Sequence, residues 1–301
     1  MKTKLTCLLL ALALVSTCGS LAQNDQPKSR EEVLKLLKSL KYQQREINLP
    51  GGFAKIEVPT NFNYLGPADA ETVLVKLWGN PPGKEKSLGL LIPAGETPVD
   101  DGCWVVTIHY QADGYVKDDD ANKINYDKLL ESMKKGTAKQ SAERERQGYP
   151  GIELVGWAAP PHYDSTTHKL YWAMDLKVKD QPEHTLNYNI RMLGRRGVLV
   201  LNAISGVQQL GEIEKETPQI LSMVNFNDGN RYADFDPKVD KVATYGLAAL
   251  VAGGIAAKLG FFKLIWVFIL AAKKLIIVAF VAIAGFFKKI FGGKSKNTPA
   301  T

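Results

Sequence analysis

The sequence has few cysteines and no acidic residue near its end. Its 301 residues include three cysteines, and the loss of a leader peptide would leave only Cys103. An internal disulfide is therefore excluded for the mature chain, and about 200 residues can bury a sufficient core without one. No Asp or Glu follows Asp240. The sequence also lacks a nucleophile elbow, a His-Glu-x-x-His helix, a phosphate loop and a dinucleotide fingerprint, so no standard catalytic motif indicates an enzyme.

Residues 1–22 are predicted to be a secretory signal peptide. Two lysines precede the apolar run Leu5–Val15, which is too short to span a bilayer, and small residues precede a cleavage point after Ala22. Lipidation of Cys18 is the alternative, because the residues before it loosely resemble a lipid-attachment box. Thr17 is larger than the residue usual at that position of the box.

The formal net charge of +7 is unevenly distributed along the chain. The leader carries two of the positive charges and the residues from Lys241 onward carry nine, so residues 23–240 have a net charge of −4. A basic protein is a candidate for nucleic-acid binding, but here the basic excess lies in the apolar C-terminal stretch. Nucleic acid is therefore not expected as a partner.

Residues 241–292 are predicted to be an α-helical membrane anchor, followed by a polar tail at 293–301. The stretch is almost wholly apolar and its charges are lysines. A membrane helix needs about 20 apolar residues, and two arrangements fit. One has a single span at about Leu264–Phe287. The other has two segments, about Tyr245–Phe262 and then either Leu264–Phe287 or the shorter Leu275–Phe291.

Particular residues of the anchor have distinct expected roles. Two glycines give the first segment a small-residue face for helix packing, one lysine pair lies near the centre of the single span, and the last lysines favour the cytoplasmic side. The residues that mark the anchor are Tyr245, Gly253, Gly254, Trp266, Lys273, Lys274, Lys288 and Lys289.

The middle of the chain is predicted to be an exported α+β domain over residues 47–240, preceded by a linker and a short amphipathic helix at 23–46. Four strands with short connections predict an antiparallel meander. They are Ile152–Ala158, Lys169–Val178, Thr185–Leu193 and Val198–Ile204.

Helices are expected to cover one face of this sheet. One is predicted over Asn125–Gln147 and another from about Leu210 through Met223, with a break at Pro218 left open. The predicted fold class is therefore α+β: an antiparallel meander sheet with helices packed on one face, plus a C-terminal α-helical membrane anchor.

Several blocks of sequence are similar to a family of bacterial membrane-anchored proteins, domain-of-unknown-function family 2167. The blocks are Trp104–Tyr110, Asp113–Val116, Asp118–Ala121, Gly156-Trp157, Pro160–Asp164, Lys169–Ala173, Leu186–Tyr188, Leu193–Arg195, Tyr245–Leu247, Gly253-Gly254 and Lys258–Gly260. The resemblance implies a bacterial membrane-anchored protein with an exported domain. It implies no activity and supplies no functional residues.

An acidic loop is the best candidate site in the domain. Asp113, Asp118, Asp119 and Asp120 lie within eight residues, and calcium favours clustered carboxylates. The spacing departs from that of an EF-hand loop, so a solvated turn before a helix is the competing interpretation.

Weaker candidates have structural alternatives. His162 and His168 bracket Asp164 and are considered as zinc ligands, although their spacing matches no known zinc motif. The turn Gly194–Gly197 contains two arginines that could bind an anion, but such a sequence is also typical of a hairpin turn.

Aromatic residues and the cysteine also allow two interpretations. Trp104, Trp157, Tyr171, Trp172 and Tyr188 could line a ligand groove, and the alternative is that they pack in the core. Cys103 is expected to be a small buried residue, because the nearest histidine lies six residues along a strand and out of reach.

The expected function is that of a non-enzymatic interaction or envelope-stress module, with no cofactor. Its expected location is the bacterial inner membrane with the domain in the periplasm. The expected partners are the lipid bilayer and either another envelope protein or a second copy through the membrane helices. One alternative is an envelope hydrolase or metal-dependent enzyme that uses Asp118–Asp120 with His109 or His162. The other is a small-ligand or lipid-binding module that uses the aromatic face of the sheet.

Overall fold

The computed structural model of the chain describes residues 27, 29–83 and 86–252. Its strands are β1 Tyr42–Gln43, β2 Arg45–Asn48, β3 Ala54–Val58, β4 Phe62–Leu65, β5 Gly89–Pro93, β6 Val105–Gln111, β7 Ile152–Asp164, β8 Lys169–Val178, β9 His184–Leu193, β10 Val198–Gly206 and β11 Val224–Phe226. Its α-helices are α1 Arg30–Ser39, α2 Pro67–Glu71, α3 Tyr126–Arg146, α4 Leu210–Met223 and α5 Leu247–Val251. A π-helix, Thr72–Leu77, continues α2.

The strands form a large antiparallel sheet and a small one. The large sheet has eight strands in the order β1-β4-β5-β6-β10-β9-β8-β7, and the small one has the order β11-β3-β2. The last four strands of the large sheet follow one another along the chain, so the predicted meander is confirmed. Strand β10 also pairs with β6 and thereby joins the two halves of the sheet.

Both faces of the large sheet are covered, which corrects the prediction that helices pack on one face. On one face, α4 packs through Ile213 and Ile220 onto the side chains of β6, β9 and β10. The other face is covered by α3 and α5 over β7 and β8, and by α2 and the π-helix over β4 and β5. The physical reason is that the central strands carry apolar side chains on both faces. In β10, Leu199 and Leu201 face α4 whereas Val198 and Val200 face α5.

Local sequence signals account for the starts of α1 and α3. Ser29 Oγ accepts a hydrogen bond from Glu32 N at the start of α1, and Asn125 Oδ1 accepts one from Lys128 N at the start of α3. Helix α4 passes through Pro218 without interruption, so the break left open at that residue does not occur. No helix among the described residues is both long and apolar enough to cross a membrane.

The predicted anchor begins at Lys241, but Ala243 and the apolar residues of α5 pack onto the sheet. Leu247, Leu250 and Val251 of α5 are each no more than 1% exposed and lie in the cluster formed with β7 and β8. The anchor residues Gly253, Gly254, Trp266, Lys273, Lys274, Lys288 and Lys289 lie outside the described residues.

Candidate functional site

The most extensive polar arrangement holds the chain's own C-terminal segment. We call it the clasp and define it as the loop 113–120, the turn 194–197 and the segment 228–248 that they hold. The arginines of the turn bind an anion, as the sequence allowed, but the anion is Asp240. Arg195 Nε lies 2.6 Å and Arg196 Nε 3.2 Å from its carboxylate oxygens. The hydrogen bond from Arg195 is the main cause that lowers the pKa of Asp240 to about 2.

The acidic loop adds backbone hydrogen bonds to the clasp. Tyr115 N donates to Lys241 O at 2.8 Å, and Ala243 N donates to Tyr115 O at 2.8 Å. The two chain segments run parallel at this point, with Tyr115 paired to Val242. Gly114 precedes this pair with a φ of +106°, and a Cβ placed on it would lie 2.5 Å from Lys241 O. The loop therefore fits closely against the segment only because this residue is glycine.

Two carboxylates of the loop bind the start of α5. Tyr245 Oη donates to Asp113 Oδ2 at 2.6 Å. Asp120 accepts hydrogen bonds from the backbone N–H groups of Leu247 and Ala248, at 3.1 and 3.4 Å. A carboxylate at this position satisfies otherwise unpaired amides and suits the helix dipole. The preference for negative charge before a helix was anticipated, but the helix is α5 and not the one that follows the loop.

Asp118 belongs to an aromatic cluster with a histidine. Tyr163 Oη donates to Asp118 Oδ2 at 2.6 Å, and His168 Nδ1 lies 3.4 Å from the same oxygen. Burial raises the pKa of Asp118, but hydrogen bonds from Tyr163 and Tyr232 outweigh it and lower the pKa overall. Tyr115 stacks on Tyr232 with ring centroids 4.4 Å apart, so this cluster also lies on the clasp segment.

The candidate metal ligands do not converge. Asp113 and Asp120 bind Tyr245 and the start of α5, Asp118 binds Tyr163 of β7, and Asp119 is exposed. Over the described ranges, no three His, Cys, Asp or Glu side chains form a group that could hold a metal ion.

The residues considered for zinc are also separated. His162 packs on Tyr171 with ring centroids 5.1 Å apart, whereas His168 approaches Asp118. Asp164 accepts hydrogen bonds from the backbone N–H of Thr166 and the hydroxyl of Thr167. It therefore shapes the β7–β8 turn.

A buried polar row lies on the α5 face of the sheet and was not predicted. Its members from β9 are Thr185, Asn187, Asn189 and Arg191, which alternate with apolar residues along the strand. Such alternation is typical of a strand with one solvated face, yet here all four are at most 7% exposed. No signal in the single sequence distinguishes this strand from a half-exposed one.

Arg191 is the charged member of this row. Its guanidinium donates to Asn202 Oδ1 at 3.1 Å and to Asn189 Oδ1 at 3.2 Å, and it lies 4.9 Å from the ring centroid of Trp172. Burial lowers the pKa of Arg191 to about 9. Burial and then the charge of Arg191 lower the pKa of His109 to about 4, so His109 is neutral at pH 7.

A cavity of about 340 Å³ lies near the start of β9, on the face of the large sheet that carries Arg191. It is bordered by Cys103, Thr185, His184 and Gly206, and by Trp78 at the end of the π-helix. His184 Nδ1 lies 2.7 Å from Asp175 Oδ1. Because His184 and Thr185 are consecutive in β9, their side chains point to opposite faces of the sheet. The imidazole is thus directed away from the face that carries Thr185.

Most of the aromatic residues considered for a ligand groove are in the core. Trp104, Trp172 and Tyr188 are at most 4% exposed. Trp104 Nε1 donates to Glu212 at 3.0 Å, which connects β6 to α4. These residues therefore pack against the two faces of the sheet, in agreement with the alternative that they belong to the core.

Comparison with known proteins gives a family and a distant structural likeness. The chain is similar to the solution structure of cyanobacterial PsbP (CyanoP) from Synechocystis sp. PCC 6803, with 11% identity over 63% of this chain and 93% of that chain, and a TM-score of 0.32. That score is too low to carry an argument. No curated protein matches the chain. The family model described as "Protein of unknown function (DUF2167)" matches residues 41–284. Because this match spans most of its length, the chain belongs to the DUF2167 family.

Proposed function

We propose that the chain is a membrane-anchored exported protein whose α+β domain is a non-enzymatic interaction module of the bacterial envelope. The clasp is the observation that carries the proposal. The segment directly before the lysine-rich apolar stretch is held by Arg195, by the backbone of Tyr115 and by Asp113 and Asp120. These contacts hold the chain against the domain up to the residues that lead into the apolar stretch.

The proposed location rests on both ends of the sequence. The leader-like residues 1–22 support export, and the apolar stretch after residue 252 supports insertion into the inner membrane, with the lipid bilayer as the first partner. The second partner is another envelope protein or a second copy, which would associate through the membrane helices.

The polar groups of the domain favour a non-enzymatic role. The histidine near Asp118 is His168, not the His109 or His162 of the enzyme alternative. Asp118 and His168 are each about 30% exposed, and the aromatic ring of Tyr232 lies against His168 with centroids 4.1 Å apart. A general base needs a substrate proton within hydrogen-bond reach, and a nucleophile needs a base to activate it. Among the described residues, this cluster contains no Ser, Cys or Lys in such a position.

The experiment tests both the membrane topology of the chain and the role of the clasp. The full-length chain should remain in carbonate-washed membranes. Reporters fused after Lys263 and after Thr301 should show on which side of the membrane each of these two residues lies. Arg195→Gln weakens the clasp, whereas Arg146→Gln removes an exposed ion pair on α3 and serves as the matched control.

We expect cross-linked partners of the anchored chain to be lost in Arg195→Gln and retained in Arg146→Gln. Recovery of the whole chain in the soluble fraction would contradict anchoring. A catalytic turnover abolished by one polar substitution in the described domain would contradict the non-enzymatic role.

A further inference from the structure

The outer surface of the clasp carries exposed valines next to exposed lysines. Val239 is 71% exposed, more than any other large apolar side chain in the described ranges, and Val242 is 38% exposed. A lysine precedes each valine, and both Lys238 and Lys241 are exposed. Single exposed apolar residues are normal in folded proteins, but here two lie close together in the chain between lysines.

The residues that follow each of these pairs point inward, which directs the pairs outward. The side chain of Asp240 is 2% exposed and is held by Arg195 and Arg196. Ala243 is 9% exposed and packs in the cluster that contains α5. The guanidinium of Arg196 is bonded to Asp240, yet its side chain is 58% exposed, so it lies beside the lysines at the surface. We define the basic patch as Lys238, Val239, Lys241, Val242 and Arg196.

The basic patch has the opposite charge from the rest of the domain. Residues 23–240 have a net charge of −4, whereas the patch contains three cations. Neither Lys238 nor Lys241 forms an ion pair within the described part of the chain. Asp236 is the acid that precedes the patch, and its carboxylate accepts a hydrogen bond from the backbone of Lys238. A negatively charged surface would therefore attract the domain at this patch and repel the domain as a whole.

The position of the patch in the chain indicates which negatively charged surface it meets. Residues 243–252 separate Val242 from the rest of the apolar stretch, which contains lysines and no acid. Lysines close to a membrane-inserted segment are attracted to anionic lipid headgroups. Valines flanked by lysines also suit the boundary between headgroups and acyl chains, because a lysine can keep its charge in water while its stem covers apolar surface.

We propose that the basic patch lies on the surface of an anionic bilayer, with Val239 at the boundary between headgroups and acyl chains and Lys238 and Lys241 against negatively charged headgroups. The inference rests on the proposed function, because an anchored domain stays within reach of the bilayer. It adds a contact that anchoring alone does not require and a preference for negatively charged lipids. A neutral bilayer offers the patch no opposite charge, and salt screens the attraction in an anionic one.

A fluorescent label at residue 239 tests this contact. The variant Val239→Cys of the full-length chain is labelled with bimane and placed in phosphatidylcholine vesicles with or without phosphatidylglycerol. A nitroxide attached to the lipid headgroup quenches a bimane that lies at the membrane surface. Cys103 is 6% exposed, so the native chain treated in the same way gives a low background. Val155→Cys is the matched control site, because Val155 is 37% exposed and lies toward the end of the large sheet that is opposite the turn 194–197.

We expect quenching of the label in the patch when the vesicles contain phosphatidylglycerol, and little quenching in phosphatidylcholine alone or at the control site. Lys238→Glu with Lys241→Glu should lower the quenching at least about fivefold, because one lysine near an anionic surface contributes about a fivefold factor in affinity. Lys238→Gln with Lys241→Gln should lower it less, and this pair adds no acid to the clasp. Lys135→Glu with Lys139→Glu makes the same change of charge on exposed residues of α3 and should have little effect. Urea midpoints close to that of the native chain establish that each variant folds.

Carbonate washing of the same vesicles separates this inference from the proposed function. A retained chain whose label in the patch is quenched no more in anionic than in neutral vesicles would overturn the patch and leave anchoring intact. A chain that is washed off, but binds anionic vesicles until both lysines are replaced, would support the patch and contradict anchoring. A label that is shielded from aqueous iodide but not reached by the lipid nitroxide would show that a protein covers this face, and the proposal would be wrong.

Discussion

Replacing Gly114 by alanine should separate the acidic loop from the segment 228–248. The added methyl group would lie 2.5 Å from Lys241 O, 3.1 Å from Lys241 C and 3.2 Å from Ala243 N. All three are backbone atoms, so no side chain can move aside to relieve the contact. The hydrogen bonds from Tyr115 N to Lys241 O and from Ala243 N to Tyr115 O lie directly beside this position.

The expected loss of stability has two parts. An alanine at a φ of +106° costs about 1–2 kcal/mol, because its Cβ approaches its own backbone. Loss of the two neighbouring hydrogen bonds costs about 1 kcal/mol each. Gly95→Ala isolates the first part, since Gly95 has a φ of +91° and nothing lies within 4 Å of its added Cβ. The collision with the segment should therefore account for about 2 kcal/mol of difference between the two variants.

Urea unfolding of the full-length chain in detergent, followed by tryptophan fluorescence, measures this difference. The midpoint for Gly114→Ala should lie about 1 M urea below that for Gly95→Ala, given a slope of about 2 kcal/mol per molar. Limited proteolysis should also cut Gly114→Ala between residues 228 and 248 sooner. Equal midpoints and equal cleavage rates for the two variants would refute the reasoning that the loop and the segment are in close contact at Gly114.

Three further predictions concern the clasp and the buried row. Gly246→Ala should cost about 1 kcal/mol in urea unfolding, because an added Cβ would lie 2.5 Å from the Asp120 carboxylate that caps α5, while the φ of −107° is allowed for alanine. The pKa of His109 is about 4 in the folded chain against 6.5 unfolded, so stability present above pH 6.5 should decline as the pH falls toward 4, and His109→Gln should flatten that decline in urea midpoints taken across this range. The pKa of Asp240 is about 2 in the folded chain against 3.8 unfolded, so the stability that it contributes should be present above pH 3.8 and lost as the pH falls through 2. Asp240→Asn should remove this acid-sensitive part, so its midpoint should lie below that of the native chain above pH 4 and the two should converge as the pH falls to 2. Equal midpoints above pH 4 would contradict the role of Arg195.

The antiparallel sheet could be predicted from sequence because its signals are local. The turn Gly194–Gly197 and the alternation in Lys169–Val178 determine strand pairing between neighbours in the chain. The capping residues Ser29 and Asn125 likewise act within one turn of helix. Interactions of this kind depend only on residues that are close together in the sequence.

The partners of the acidic loop could not be predicted, because they depend on contacts between distant parts of the chain. Asp120 binds the amide of Leu247, and Arg195 binds Asp240. Nothing in the spacing of the aspartates distinguishes a carboxylate that binds its own chain from one that binds calcium. Arg191 was missed for a related reason, since an alternating strand has the same sequence pattern whether water or another layer of protein covers its polar face.

The central position of β10 has a consequence for the synthesis of the chain. Strand β6 ends at Gln111 and pairs on one side with β10, which begins at Val198. While the chain is being made, β6 is therefore complete long before its partner exists, and an unpaired strand edge readily joins another chain. Long-range pairing of this kind is also slow to form, whereas the hairpin of β9 and β10 closes locally. Fragments that stop before Val198 should therefore aggregate, and β6 would need protection during synthesis until the second half of the sheet is made.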